Sequence, residues 1–101
     1  MIGLSAGMQE KNATQASVVE AEIRAGGAAE FDDYTIKGDL NLSGLKVERP
    51  VHFNRTIFQD SVTFNYTAFK SDAYFEDSEF KSDAYFEDSE FKSDACFWGS
   101  T

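Results

Sequence analysis

Phenylalanine recurs at Phe53, Phe58, Phe64, Phe69, Phe75, Phe80, Phe86, Phe91 and Phe97, at spacings that alternate between five and six residues. The unit is therefore eleven residues long. It is most regular as FEDSEFKSDAY from Phe75 and FEDSEFKSDAC from Phe86, with looser copies FNRTIFQDSVT from Phe53 and FNYTAFKSDAY from Phe64. Eleven residues suit a right-handed helical coiled coil, but at about 100° per residue the apolar positions of one unit scatter round the helix. Ser and Asp, which fill the unit, also disfavour a helix interior. Strand periodicity fits instead. The residue two before each phenylalanine (Val51, Thr56, Val62, Thr67, Ala73, Ser78, Ala84, Ser89, Ala95) is small or β-branched. The flanking positions are mostly polar or amphipathic, as Glu79 and Lys81 are around Phe80. In–out–in over three residues marks a short strand with one buried face. Polar corners such as Lys70-Ser71-Asp72 and Glu76-Asp77 follow, so the chain turns after each strand and winds into a solenoid.

These units, small-x-Phe-x-x, resemble the pentapeptide-repeat family over about residues 38 to 101. One extra residue in alternate units, at Ser61, Asp72, Asp83 and Asp94, is similar to a Phe-rich branch of that family with an eleven-residue repeat. The resemblance implies a mainly β fold, a right-handed quadrilateral β-helix in which each unit forms one side. Four sides give about 22 residues per coil and about three coils, with residues 22 apart stacked at about 4.8 Å. The expected columns are Phe53/Phe75/Phe97, Phe58/Phe80, Phe64/Phe86 and Phe69/Phe91. Each fully buried phenylalanine contributes roughly 1.5–3 kcal/mol, and a slip by one residue would expose every ring.

The first half of the chain reads differently. Residues 1–11 show no period and are expected to be disordered or frayed. From Asn12 to Ala25 the pattern predicts a helix, with Ser17-Val18-Val19-Glu20 as a capping box and Asn12 or Thr14 as alternative starts. Ala16, Val19 and Ile23 share one face, and Gly26-Gly27 supplies the stop. A solenoid needs its first edge covered, which makes this helix the expected N-terminal cap. Tyr34–Lys37 is expected as a lead-in strand, so residues 12–37 form cap and lead-in and residues 38–101 the repeat β-helix. Within 38–52 two registers compete. Units centred on Leu40 and Leu45 are preferred because Gly38 and Ser43 occupy the small-residue slots, which leaves Glu48-Arg49-Pro50 to bulge out. The other register runs through Ile36, Leu42, Val47 and Phe53.

Composition narrows the chemistry. The chain has 101 residues and a formal charge of −9, which suits one soluble domain and disfavours nonspecific binding to phosphate backbones. One cysteine, Cys96, excludes an internal disulfide and reads as an outward residue in place of Tyr74 and Tyr85. His52, the single histidine, should point outward and has no second histidine for a zinc site. No serine lies in a nucleophile elbow, no glycine-rich phosphate loop is present, and no cofactor or metal is expected. The acidic corners at Asp72, Asp83 and Asp94 offer oxygen ligands for Ca²⁺, but they lack glycine-rich turns, and Lys70, Lys81 and Lys92 lie beside them. Asn-x-Ser/Thr triplets at Asn12, Asn41, Asn54 and Asn65 read as coincidence. No apolar run is long enough to cross a membrane and residues 1–8 make no convincing signal peptide, so a cytoplasmic location is expected.

The sequence thus predicts an architecture and no reaction. A non-enzymatic structural or protein-interaction module is the leading expectation. Phe97, Trp98, Tyr74 and Tyr85 are its candidate interface, and a homodimer through the open last coil is its candidate partner. The alternative, drawn from the family resemblance, is an acidic DNA mimic that binds or inhibits a DNA-binding protein such as a gyrase. Neither reading involves direct contact with nucleic acid or membrane.

Overall fold

A computed structural model describes residues 12–101; the expectation for residues 1–11 lies outside them. Among the described residues the chain forms short strands and one helix, and the strands pair in parallel into four sheets. From Ala29–Glu30 (β2) and Tyr34–Lys37 (β3) onward, successive strands visit the four sheets in a constant rotation. Ala29 pairs with Val51, Val51 with Ala73 and Ala73 with Ala95, so partners stand 22 residues apart. A two-residue strand cannot satisfy its own backbone, and each one depends on the circuits on either side of it. Phe53 donates its N–H to the carbonyl of Tyr74 at 2.8 Å, and Phe64 to that of Tyr85 at 2.7 Å.

The same register runs back into the first half and overturns the preferred reading of residues 38–52. Leu40 pairs with Val62 and Val47 with Phe69, while Leu42 donates its N–H to Thr63 just as Phe64 does to Tyr85. The inward centres are therefore Ile36, Leu42 and Val47, all buried, and Leu40 occupies the slot two before Leu42. Gly38 and Ser43 are corner residues instead. Glu48-Arg49-Pro50 forms no bulge, because it occupies the corner that Lys70-Ser71-Asp72 occupies one circuit later. Pro50 is tolerated there since Val51, not Pro50, donates to the next circuit, at 3.0 Å to Asp72.

The corners have a period of their own. Asp33, Gly44, Arg55, Tyr66, Asp77, Asp88 and Gly99 all have positive φ, and they recur at every eleventh residue. Each stands two residues after an inward centre and makes the tight turn of a five-residue step, such as Phe53 to Phe58. The six-residue steps turn without one, apart from Gly38. Left-handed backbone costs a non-glycine residue about 1–2 kcal/mol, so Arg55 and Tyr66 are held in place by the ladder around them.

The N-terminal cap differs in its start. Asn12–Gln15 (β1) is a strand that pairs with β3, and the helix (α1) covers only Ala16–Arg24. Gln15 precedes the helix in extended conformation with no side-chain cap, so neither the Ser17 capping box nor a start at Asn12 or Thr14 is formed. Ala16, Val19 and Ile23 are the buried residues of α1, packed into the same core as Leu40 and Leu42. At the other end, Gly26 donates to Ile23 and Gly27 to Glu22, with Gly26 left-handed, which satisfies the last carbonyls of the helix. Asn41 clamps the helix from below: its N–H donates to Glu20 at 2.7 Å and its carbonyl accepts from Arg24 at 3.3 Å.

Candidate interaction surface

Inside the stack the phenylalanine rings form continuous columns. Phe53–Phe75 and Phe75–Phe97 stack at 5.4 and 4.8 Å, Phe58–Phe80 at 4.8 Å, Phe64–Phe86 at 5.1 Å and Phe69–Phe91 at 4.9 Å. Phe31 extends the first column backward, 6.0 Å from Phe53. Thr56, Thr67 and Ser78, in the slots between rings, are buried without penalty because their hydroxyls donate to the carbonyls of Phe31, Leu42 and Phe75. Among the described residues no buried side-chain polar atom lacks a partner.

The two ends of the stack differ. α1 covers the first circuit, whereas Phe80, Phe86, Phe91 and Phe97 are only partly buried and Trp98 is 71% exposed. Ring edges and strand edges thus lie together on one face. Tyr74 and Tyr85 lie on different sheets, in strands Ala73–Tyr74 and Ala84–Tyr85; Tyr85 belongs to the last circuit, on an end strand of its sheet, and the strand of Tyr74 is covered by Ala95–Cys96.

Each tyrosine closes a corner. Tyr74 donates its hydroxyl to Asp72 at 2.9 Å, and Tyr85 to Asp83 at 3.1 Å. Asp72 also accepts the Ser93 hydroxyl at 2.6 Å and the Asp94 N–H at 3.2 Å. These bonds, Ser93 first, hold the Asp72 carboxyl below its ordinary range, and the Asp72 bond raises the Tyr74 phenol above its own. Of the three corner carboxylates, those of Asp72 and Asp83 are engaged by O–H or N–H donors. Among the described residues no three acidic, histidine or cysteine side chains converge on a metal position. Lys92 reaches Glu90 at 3.4 Å rather than a corner aspartate.

The linkage has a sign at each end of the pH range. Asp72 stabilises the fold above the ordinary aspartate range, and that contribution is lost as pH falls through its depressed folded value. Tyr74 contributes below the ordinary phenol range and loses it as pH rises through its elevated value. In Asp72→Asn the ionisation of Tyr74 is expected to move down in pH while that of Tyr85 stays in place. Ring-carbon NMR during an alkaline titration reads both, and an unmoved Tyr74 would show that Asp72 does not set it.

Other outward residues have structural roles that composition hid. Asp32, Asn54 and Asn65 each reach forward 22 residues to accept the N–H of Asn54, Glu76 and Glu87, at 2.7–2.8 Å. Two of the four Asn-x-Ser/Thr triplets are thus turn clamps, detectable as Asn recurring directly after the inward centres Phe53 and Phe64. His52 faces outward and stacks on Tyr74 at 5.0 Å. With Glu30 and Asp32 it lines a hollow of about 290 Å³ whose Asp32 is already engaged by Asn54. Cys96 is half-buried. No helix among the described residues is long and apolar enough to cross a membrane.

Comparison with protein families decides what kind of array this is. Residues 53–101 match the family model for pentapeptide repeats, in nine copies. This stretch belongs to the pentapeptide-repeat family. No curated protein and no solved structure matches the chain significantly. The matched pentapeptide repeats start at Phe53, yet the register continues without a break through Val47, Leu42 and Ile36. The earlier circuit uses aliphatic centres, which a Phe-rich pattern does not capture.

Proposed function

We propose that this pentapeptide-repeat protein is a non-enzymatic protein-interaction module that works through the partly uncovered face of its last circuit. The observation that carries the reading is the asymmetry of the two ends: an apolar helix face covers one, while Phe80, Phe86, Phe91, Phe97 and Trp98 remain accessible at the other. The occupant that suits this face is a second copy of it, since matching ring columns can continue at the spacing they keep within the chain. The reading takes the array as a right-handed quadrilateral solenoid of about 22 residues a turn, acting in the cytoplasm.

Light scattering coupled to size exclusion tests this directly. The 101-residue chain is expected to run as a dimer, and Trp98→Glu, which places a charge on the face, as a monomer. A monomer in both cases would overturn the pairing. The duplex-mimic alternative finds less support, because Asp72 and Asp83 are turned to neighbouring hydroxyls rather than set out as a free row of charge. An absence of gyrase inhibition at high protein concentration would remove it.

A further inference from the structure

Where α1 ends above the first circuit, Ile23, Arg24, Ala25, Gly26 and Gly27 face Lys46–Arg49 across a hollow of about 250 Å³. Three of the lining residues, Arg24, Lys46 and Arg49, are cations, against one carboxylate, Glu48. A second carboxylate, Glu22, stands beside Gly27, which leaves a local excess of one positive charge in a chain whose net charge is −9. Among the described residues neither Lys46 nor Arg49 forms an ion pair, and Arg24 engages only the Asn41 carbonyl, at 3.3 Å through one guanidinium nitrogen. We propose that this hollow is a binding site for a small oxyanion of the phosphate class.

The geometry selects the ligand by size and by charge. At about 250 Å³ the hollow has room for a phosphate group, with the rest of a phosphomonoester left in solvent. Two guanidinium groups present planar forks that match phosphate oxygens in pairs, and the lysine adds a point charge. The N–H groups of Gly26 and Gly27 already close the helix end, so recognition rests on the side chains. Glu48, also in the lining, opposes binding, so the three cations must outweigh it. Cations near a helix C-terminus also stabilise the helix, and that role alone would give no saturable site.

A titration of the isotope-labelled chain with inorganic phosphate at constant ionic strength separates the two. Saturable amide shifts are expected at Gly26, Gly27 and residues 46–49, with affinity reduced about tenfold or more in Arg49→Gln and again in Lys46→Gln. Both positions are exposed, and circular dichroism of each variant checks that its fold is kept. Shifts that fail to saturate, that chloride reproduces, or that survive both substitutions would overturn the site. This test reads a different end of the molecule from the pairing face, so the two proposals fail independently.

Discussion

Phe75→Ala is expected to destabilise the protein by about 3–5 kcal/mol, the usual range for a phenylalanine cut from a packed core. Phe75 is fully buried, and its ring meets five others: Phe53, Phe58, Phe64, Phe80 and Phe97, at 4.8–6.3 Å between centroids. It therefore joins three successive circuits and three ring columns at once. A repeat array is held mainly by contacts between neighbouring units, so a void at this joint weakens the stack across its middle. Phe91→Ala supplies the contrast, because Phe91 is only partly buried and should cost clearly less. Urea unfolding followed by circular dichroism measures both. Since small domains hold only about 5–15 kcal/mol in total, the first variant should lose a large share of its stability. Equal losses for the two would show that the rings act as filler rather than as a joint.

Val19→Asp should have the second largest effect, through the cap. Val19 is completely buried in α1, on the face that covers Leu40 and Leu42. A nine-residue helix has little stability of its own, so its structure depends on that contact. A carboxylate cannot stay unpaired there, and the helix is expected to undock rather than bury it. The first circuit would then lie open at its apolar edge. The expected result is loss of the helical part of the circular dichroism spectrum together with new self-association on light scattering. Val18→Asp, at a position 51% exposed on the same helix, should change neither. A Val19→Asp variant that keeps its helix and stays monodisperse would mean that the cap is held by the β1–β3 pairing and the Asn41 clamp instead.

These expectations also show which parts of the molecule the sequence made legible. The phenylalanine spacing indicated stacked parallel strands, because a large apolar residue at a fixed period leaves few ways to turn. The buried face of α1 was readable from Ala16, Val19 and Ile23. The start of α1 was not, since Asn12–Gln15 are drawn into a strand by Tyr34–Lys37, a partner 22 residues away that local propensity does not see. Residues 38–52 were misread for a different reason. Gly38 and Ser43 are small, and smallness marks an inward slot in one register and a tight corner in the other. The decisive signal was Gly44, which stands at the same eleven-residue interval as the left-handed corners Asp33, Arg55 and Tyr66. The corner bonds of Tyr74 and Tyr85 stayed hidden because a surface tyrosine in a strand is ordinary, and only the fold shows the carboxylate beside it.

The mismatch between an eleven-residue repeat and a 22-residue register has a consequence for how such a chain can change length. The segments KSDAYFEDSEF at residues 70–80 and 81–91 are identical, so recombination between their coding sequences would remove or add one whole unit. Every inward slot and every left-handed corner would still receive a residue of the right kind. Half a circuit would be gained or lost, however, and Trp98 would come to rest on the opposite side of the stack. Units exchanged in pairs would restore its direction. A lineage could therefore vary the length of this array in small steps at little cost to folding, with the parity of the count deciding which way Trp98 faces.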